Sequence, residues 1–112
     1  MYKRQDTNSY GYYQANGQKL YNNAGSAFGS AYTGPHTIGA AVDFDALKLW
    51  FARDGVWQAS GNPAAGTSPA FSIAAGTYFP AVSIYESGLA ITGRFKSSDF
   101  VYSPPAGFSS LA

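Results

Sequence analysis

Apolar and polar positions in this chain alternate over short stretches, broken every few residues by Gly, Asn, Asp or Pro. The clearest stretch runs from Leu47 to Arg53. Leu47, Leu49 and Phe51 fall on one face and Lys48, Trp50 and Ala52 on the other, the two-residue period of a strand. Before it, Ile38 to Phe44 is an apolar run broken only by Asp43, as expected of a strand buried on both sides or ending in a tight turn, and Asp45-Ala46 makes a turn. After it, Asp54-Gly55 predicts a second tight turn, and Val56-Trp57-Gln58 returns. These three segments predict a meander whose registers are set by its turns.

The flanks read the same way. Tyr10 to Gln14 and Gln18 to Tyr21 pair across Ala15-Asn16-Gly17, where Asn-Gly predicts a hairpin turn with both residues at positive φ. Asn22 to Gly34 reads as a long polar loop holding a short strand, with Phe28 and Tyr32 as isolated anchors. Ser60 to Ser72, with two Pro and two Gly, reads as loop. Thr77 to Tyr85 predicts a strand at an edge or bulge, because Pro80 has no N–H to give. Glu86-Ser87-Gly88 turns the chain into Leu89 to Phe95, and Phe100 to Tyr102 is a last short strand before Pro104-Pro105. No window has a capped helical period. About seven short strands separated by turn signals predict an all-β, antiparallel β-sandwich.

Composition agrees. With 112 residues the chain is one domain's worth; 17% aromatic and only 12% charged content suits strands and turns, and 46% hydrophobic content argues against disorder. A net charge of +1 gives no electrostatic pull toward nucleic acid or an anionic membrane, so neither is an expected partner. There is no cysteine, which removes disulfides and thiolate metal sites. No apolar run is long enough to span a bilayer and no signal peptide is seen, so the location, virion-associated or cytoplasmic, is left open.

Catalytic chemistry finds little to build on. Asp43 and Asp45 flank a turn and have the types for calcium, but Asp is simply a good turn residue. His36 is the sole histidine, so a histidine-rich zinc site cannot be assembled, and no nucleophile-elbow motif accompanies it for a Ser-His-Asp triad. Asp43, Asp45, Asp54, Glu86 and Asp99 do not show the single-strand array of a sandwich glycanase. The chain reads as no enzyme, with no cofactor or metal. Of the two tryptophans, Trp50 is expected to be buried, on the second sheet if it packs there, and Trp57, just after a turn, is the better candidate for exposure.

Several segments, in order, resemble the SPRY family. Ile38-Gly39-Ala40-Ala41-Val42-Asp43, then Leu47-Lys48-Leu49-Trp50-Phe51 and Asp54-Gly55, is similar to its central pattern of an apolar strand ending in Asp, a turn, an L-x-F strand and an Asn-Gly turn. Thr77-Tyr78-Phe79-Pro80-Ala81-Val82-Ser83 resembles its "YPAVS" strand. Gly61-Asn62-Pro63-Ala64-Ala65-Gly66-Thr67 and the Pro104-Pro105-Ala106-Gly107-Phe108 tail resemble bacterial and phage members. Asp54 stands where the family usually has Asn. The family's opening "YWEV" and "GVA" strands are not matched, and Met1-Tyr2-Lys3-Arg4-Gln5 resembles a translated sequencing-adapter end. Residues 1–5 are therefore expected to be a scar, 6–108 a partial SPRY domain lacking its first strands, and 109–112 a tail.

The resemblance implies a concanavalin-like jelly-roll sandwich that binds a peptide or protein through its inter-strand loops, as part of a larger bacterial or phage protein. It places ligand contacts at Tyr21, Asn22 and Asn23, after the first hairpin, and at Tyr85, Glu86 and Ser87, after the "YPAVS"-like strand. Trp57 joins them as an aromatic anchor. The plain alternative is that Tyr21 packs in the core and Glu86-Ser87-Gly88 is a solvated turn. The alternative function is a lectin-like sandwich on a virion or cell surface, binding a glycan through Tyr, Trp and Asn; a third is a structural spacer. A sheet without its first strands is also expected to expose a long unpaired edge and to be marginal or aggregation-prone on its own.

Overall fold

The computed structural model describes residues 7–82, 88 and 90–112. It is all-β and antiparallel: three strands form one sheet, four form another, and among the described residues helical turns are confined to short 3-10 pieces. The small sheet is β1 (Tyr10–Tyr12), β2 (Lys19–Tyr21) and β3 (Ala24–Ser26), in that order. The larger sheet is β4 (Ile38–Asp43), β5 (Lys48–Arg53), β6 (Val56–Trp57) and β7 (Phe71–Ser72). β5 is its centre. It pairs along its whole length with β4, from Ile38↔Arg53 to Asp43↔Lys48. Its other edge is shared: Ala52 and Arg53 pair with β6, Lys48 and Leu49 with β7.

The meander forms as its sequence predicts. Asp54 and Gly55 both take positive φ, 50° and 82°, as a two-residue type I′ turn needs. The turn is also fastened to the loop entering β4. Asp54 N–H donates to Thr37 O at 2.7 Å, and the Asp54 carboxylate accepts from Thr37 N at 2.9 Å and from His36 Nδ1 at 2.6 Å. The Thr37 and His36 bonds hold the Asp54 carboxyl below its ordinary value. The buried Arg53 Nε lies 3.8 Å from the same carboxylate, beyond hydrogen-bond reach.

The first hairpin departs from expectation. Gly17 alone takes positive φ, 73°, and Asn16 does not, so Tyr13 to Gln18 is a longer loop rather than a two-residue turn. Asn16 Oδ1 caps the N–H of Gln18, and Gly17 lies so close to Gly29 O that a Cβ there would collide. The two-residue I′ turn sits one hairpin later, at Asn22 (φ 50°) and Asn23 (φ 59°), joining β2 to β3. Asparagine tolerates the left-handed region, so the segment read as loop is a second hairpin. β7 was likewise read as loop.

Strands expected in the last third are absent among the described residues. Residues 77–82, 90–95 and 100–102 form no ladder, and Phe79 is 84% exposed. Apolar residues are there, but among the described residues no neighbouring strand supplies the hydrogen bonds, and Pro80 lacks a donor.

The two faces of β5 are covered differently. Leu49 and Phe51 face the small sheet, where Tyr12 lies 5.7 Å from Phe51 and Phe28 6.3 Å from it. Phe28 and Tyr32 are thus not isolated; both pack on Tyr12, at 5.3 and 4.8 Å. Tyr32 donates to Tyr12 O at 2.6 Å, and burial pushes its phenol up to about 12. On the opposite face Trp50 is buried as expected, 1% exposed, but under irregular chain rather than a second sheet. Its Nε1 donates to Thr67 O at 2.8 Å, and Phe108 meets it edge-on at 6.1 Å. Gly39, Ala41 and Ala52 beside it are small enough to leave room for the indole.

Trp50→Ala removes the anchor of the irregular cover on its face and is expected to cost about 3–5 kcal/mol in urea unfolding; a loss below about 1 kcal/mol would contradict this packing. The Asp54 contribution is present above the ordinary carboxylate value and lost as pH falls through its lowered folded value. Wild type should therefore lose more thermal stability between about pH 5 and about pH 2 than Asp54→Asn does.

Candidate functional site

The aromatic residues divide into an inward group around Tyr12 and a second group at the periphery. In the second, Tyr21 stacks on its cross-strand partner Tyr10 at 4.9 Å and 16°. Tyr10 meets Tyr78 at 6.0 Å, and Tyr78 stacks on Phe44 at 6.4 Å and 25°. Four rings from β1, β2, the β4–β5 turn and the segment after β7 therefore form one continuous ridge. Phe71 supports it from beneath, 5.1 Å from Tyr10 and 6.4 Å from Tyr21. Its outer members are open: Tyr21 is 37% and Phe44 52% exposed.

The ridge is held by its hydroxyls. Tyr10 OH accepts from Ala74 N at 3.2 Å, and Tyr78 OH donates to Ala74 O at 2.6 Å. Burial, then the neighbouring Tyr10 hydroxyl, push the Tyr78 phenol above its ordinary value, so it stays neutral at physiological pH. Beside Tyr78 lies a cleft of about 290 Å³, lined by Asn8, Ala74, Ala75, Gly76, Thr77 and Tyr78. Lys19 does not charge the ridge freely: its Nζ donates to Ala70 O at 2.7 Å and sits 5.2 Å from the Phe71 ring centroid.

Of the expected site residues, Tyr21 is on the ridge, neither core nor free. Asn22 and Asn23 follow it as exposed residues whose backbones make the β2–β3 turn. Trp57 does not join them. It pairs with Ala52 and shares the Trp50 face, whereas Phe71, under Tyr21, pairs with Leu49 on the opposite face. Tyr21 and Trp57 thus lie on opposite sides of the larger sheet, and Trp57 is half-buried rather than exposed. Tyr85, Glu86 and Ser87 lie outside the described residues, as do residues 1–5. Phe44 and Tyr78 were missed. Phe44 was readable as the last apolar residue before a turn; Tyr78 was hidden inside an expected strand.

The polar candidates resolve into structural roles. Asp43 Oδ1 accepts from Asp45 N and Ala46 N, at 3.0 and 2.9 Å, and so caps the β4–β5 turn. His36 and Asp54 form a pair, but its partners are Thr37 and Arg53. Among the described residues no three His, Asp or Glu gather as a metal would require.

No family model matches this chain, and no solved structure matches it. The chain is similar to the dual specificity protein kinase splA of Dictyostelium discoideum, 31% identical over 109 aligned residues. The match takes in 92% of this chain and 4% of the kinase.

Since Tyr10 and Tyr21 stack on one another, a double-mutant cycle of Tyr10→Leu and Tyr21→Leu in urea should give a coupling of about 0.5–1.5 kcal/mol. Additive losses would mean that the two rings act separately.

Proposed function

We propose that this chain is a SPRY-type recognition module, without catalytic activity of its own, that docks a peptide or protein loop on the aromatic ridge. The observation that carries this reading is the ridge itself: four rings in contact, its ends exposed, beside a cleft with polar backbone. Such a surface offers rigid apolar area at low entropic cost, with polar groups at its margin for orientation. Tyr21, Phe44 and Tyr78 are its anchors, and Asn22 and Asn23 supply adaptable hydrogen-bonding groups. The small sheet lying against the larger one is compatible with the sandwich that the family resemblance implies.

The similarity to the kinase does not bring kinase activity to this chain. The matched part is a small fraction of that protein, and these 112 residues carry no glycine-rich phosphate loop and no HRD or DFG motif. Phosphoryl transfer is accordingly not carried over.

The test is to display a peptide library and a glycan array to the purified chain and to its Tyr21→Ala/Phe44→Ala variant. Peptide capture by the wild type that falls about tenfold or more in a variant that still unfolds cooperatively above the assay temperature supports the assignment. Unchanged capture removes the ridge from the site, and selective glycan capture replaces the peptide reading with a lectin-like one.

A further inference from the structure

β4 presents an edge unlike any other among the described residues. It pairs with β5 over six residues on one side, and no described strand pairs with it on the other. β1 and β3, at the edges of the small sheet, are three residues each, and β6 and β7 are two each. The devices that usually blunt an edge are missing from Ile38 to Val42: there is no Lys, no Pro and no bulge, and the register with β5 is unbroken. Gly39, Ala40 and Ala41 are small and Ala40 is exposed, so another backbone can approach to ladder distance without meeting bulky side chains.

The charges around this edge are unequal. At its start, across the ladder on β5, stands Arg53, with Asp54 and His36 beside it, a cluster without net negative charge; at its end stand Asp43 and Asp45 with Lys48 across the ladder, a net charge of −1. A parallel neighbour of the same sequence would set acid beside acid. An antiparallel one sets Asp43 and Asp45 beside the end that carries His36 and Arg53.

We infer that β4 is a self-pairing edge, and that its occupant is β4 of a second copy of this chain, antiparallel about a two-fold axis through Ala40. In this register Ala40 faces Ala40, Ile38 faces Val42 and Thr37 faces Asp43. Residues of equal parity stay on equal faces, so the Trp50 side of both copies is continuous. The interface is a short backbone ladder with few side chains, and it is therefore weak and concentration-dependent. It approaches the ridge only at Phe44 and does not depend on that proposal.

The experiment is sedimentation velocity on the full chain from about 1 μM to about 1 mM, a span that covers weak association. Wild type is expected to move from monomer to dimer with concentration. Ala40→Lys and Ala40→Glu each place like charges opposite one another and should each weaken the dimer by about fivefold, with wild-type melting showing that the fold persists. Mixing the two variants brings Lys opposite Glu and should restore association to wild-type strength or above. Tyr21→Ala, on the small sheet, should associate like wild type, which separates this result from that of ligand capture. A wild type that is monomeric throughout, substitutions without effect, or a mixture that behaves like its separate components would each overturn the proposal.

Discussion

Trp50 must be buried and its indole N–H must also find an acceptor, and the larger sheet is arranged around meeting both demands. The indole is too large to lie free at low cost, and its buried N–H left unpaired would carry a desolvation penalty of about 1–3 kcal/mol. Thr67 O supplies the acceptor. That carbonyl is presented by a compact loop in which Asn62 and Thr67 exchange backbone hydrogen bonds, Asn62 Oδ1 caps Ala65 N–H, and Gly66 takes φ 73° to close the turn. Lys48, two residues from Trp50 on the same face, donates to Gly66 O at 2.8 Å. Phe108 then closes the site from the other end of the chain. One side chain thus ties a central strand, an irregular loop and the tail into one unit.

The other face of β5 uses different chemistry. There the cover is a small sheet of aromatic strands, held by hydrogen bonds as well as by packing. Tyr12 OH donates to Ser30 O at 2.5 Å, and the buried Gln58 side chain accepts from Ser30 N and donates to Val56 O, both at 2.8 Å. The segment after β3 is held by that network although it has no regular structure. A buried amide with its groups satisfied specifies a position where an apolar residue would only fill space.

These two covers explain why the ridge is available. Tyr12 and its neighbours close over Phe51, which leaves Tyr10 and Tyr21 at the margin of the small sheet, leaning on Phe71. The Ala74 backbone fixes the Tyr10 and Tyr78 hydroxyls, so their rings are held in one orientation. Rings so held would lose little entropy in the docking proposed for them. The same arrangement turns Trp57 to the far side, because two-residue pleating sends successive positions of a strand to opposite faces.

The sequence by itself determined the antiparallel all-β class, the β4–β5–β6 meander, the Asp54-Gly55 turn and the burial of Trp50. Each rests on a local property: the pleat period, the φ a turn residue tolerates, or the size of one apolar side chain. Tertiary structure decided what covers Trp50, that Asn22-Asn23 rather than Asn16-Gly17 makes the two-residue turn, and that Phe71 pairs with Leu49. It also decided that Tyr21 and Trp57 lie on opposite faces, and that residues 77–82 and 90–95 form no ladder. In the last case the pattern was right for a strand. A strand, however, is a relation between two segments, and its hydrogen bonds exist only where a second backbone comes alongside. Which segments meet is settled by long-range packing, and no local pattern encodes it.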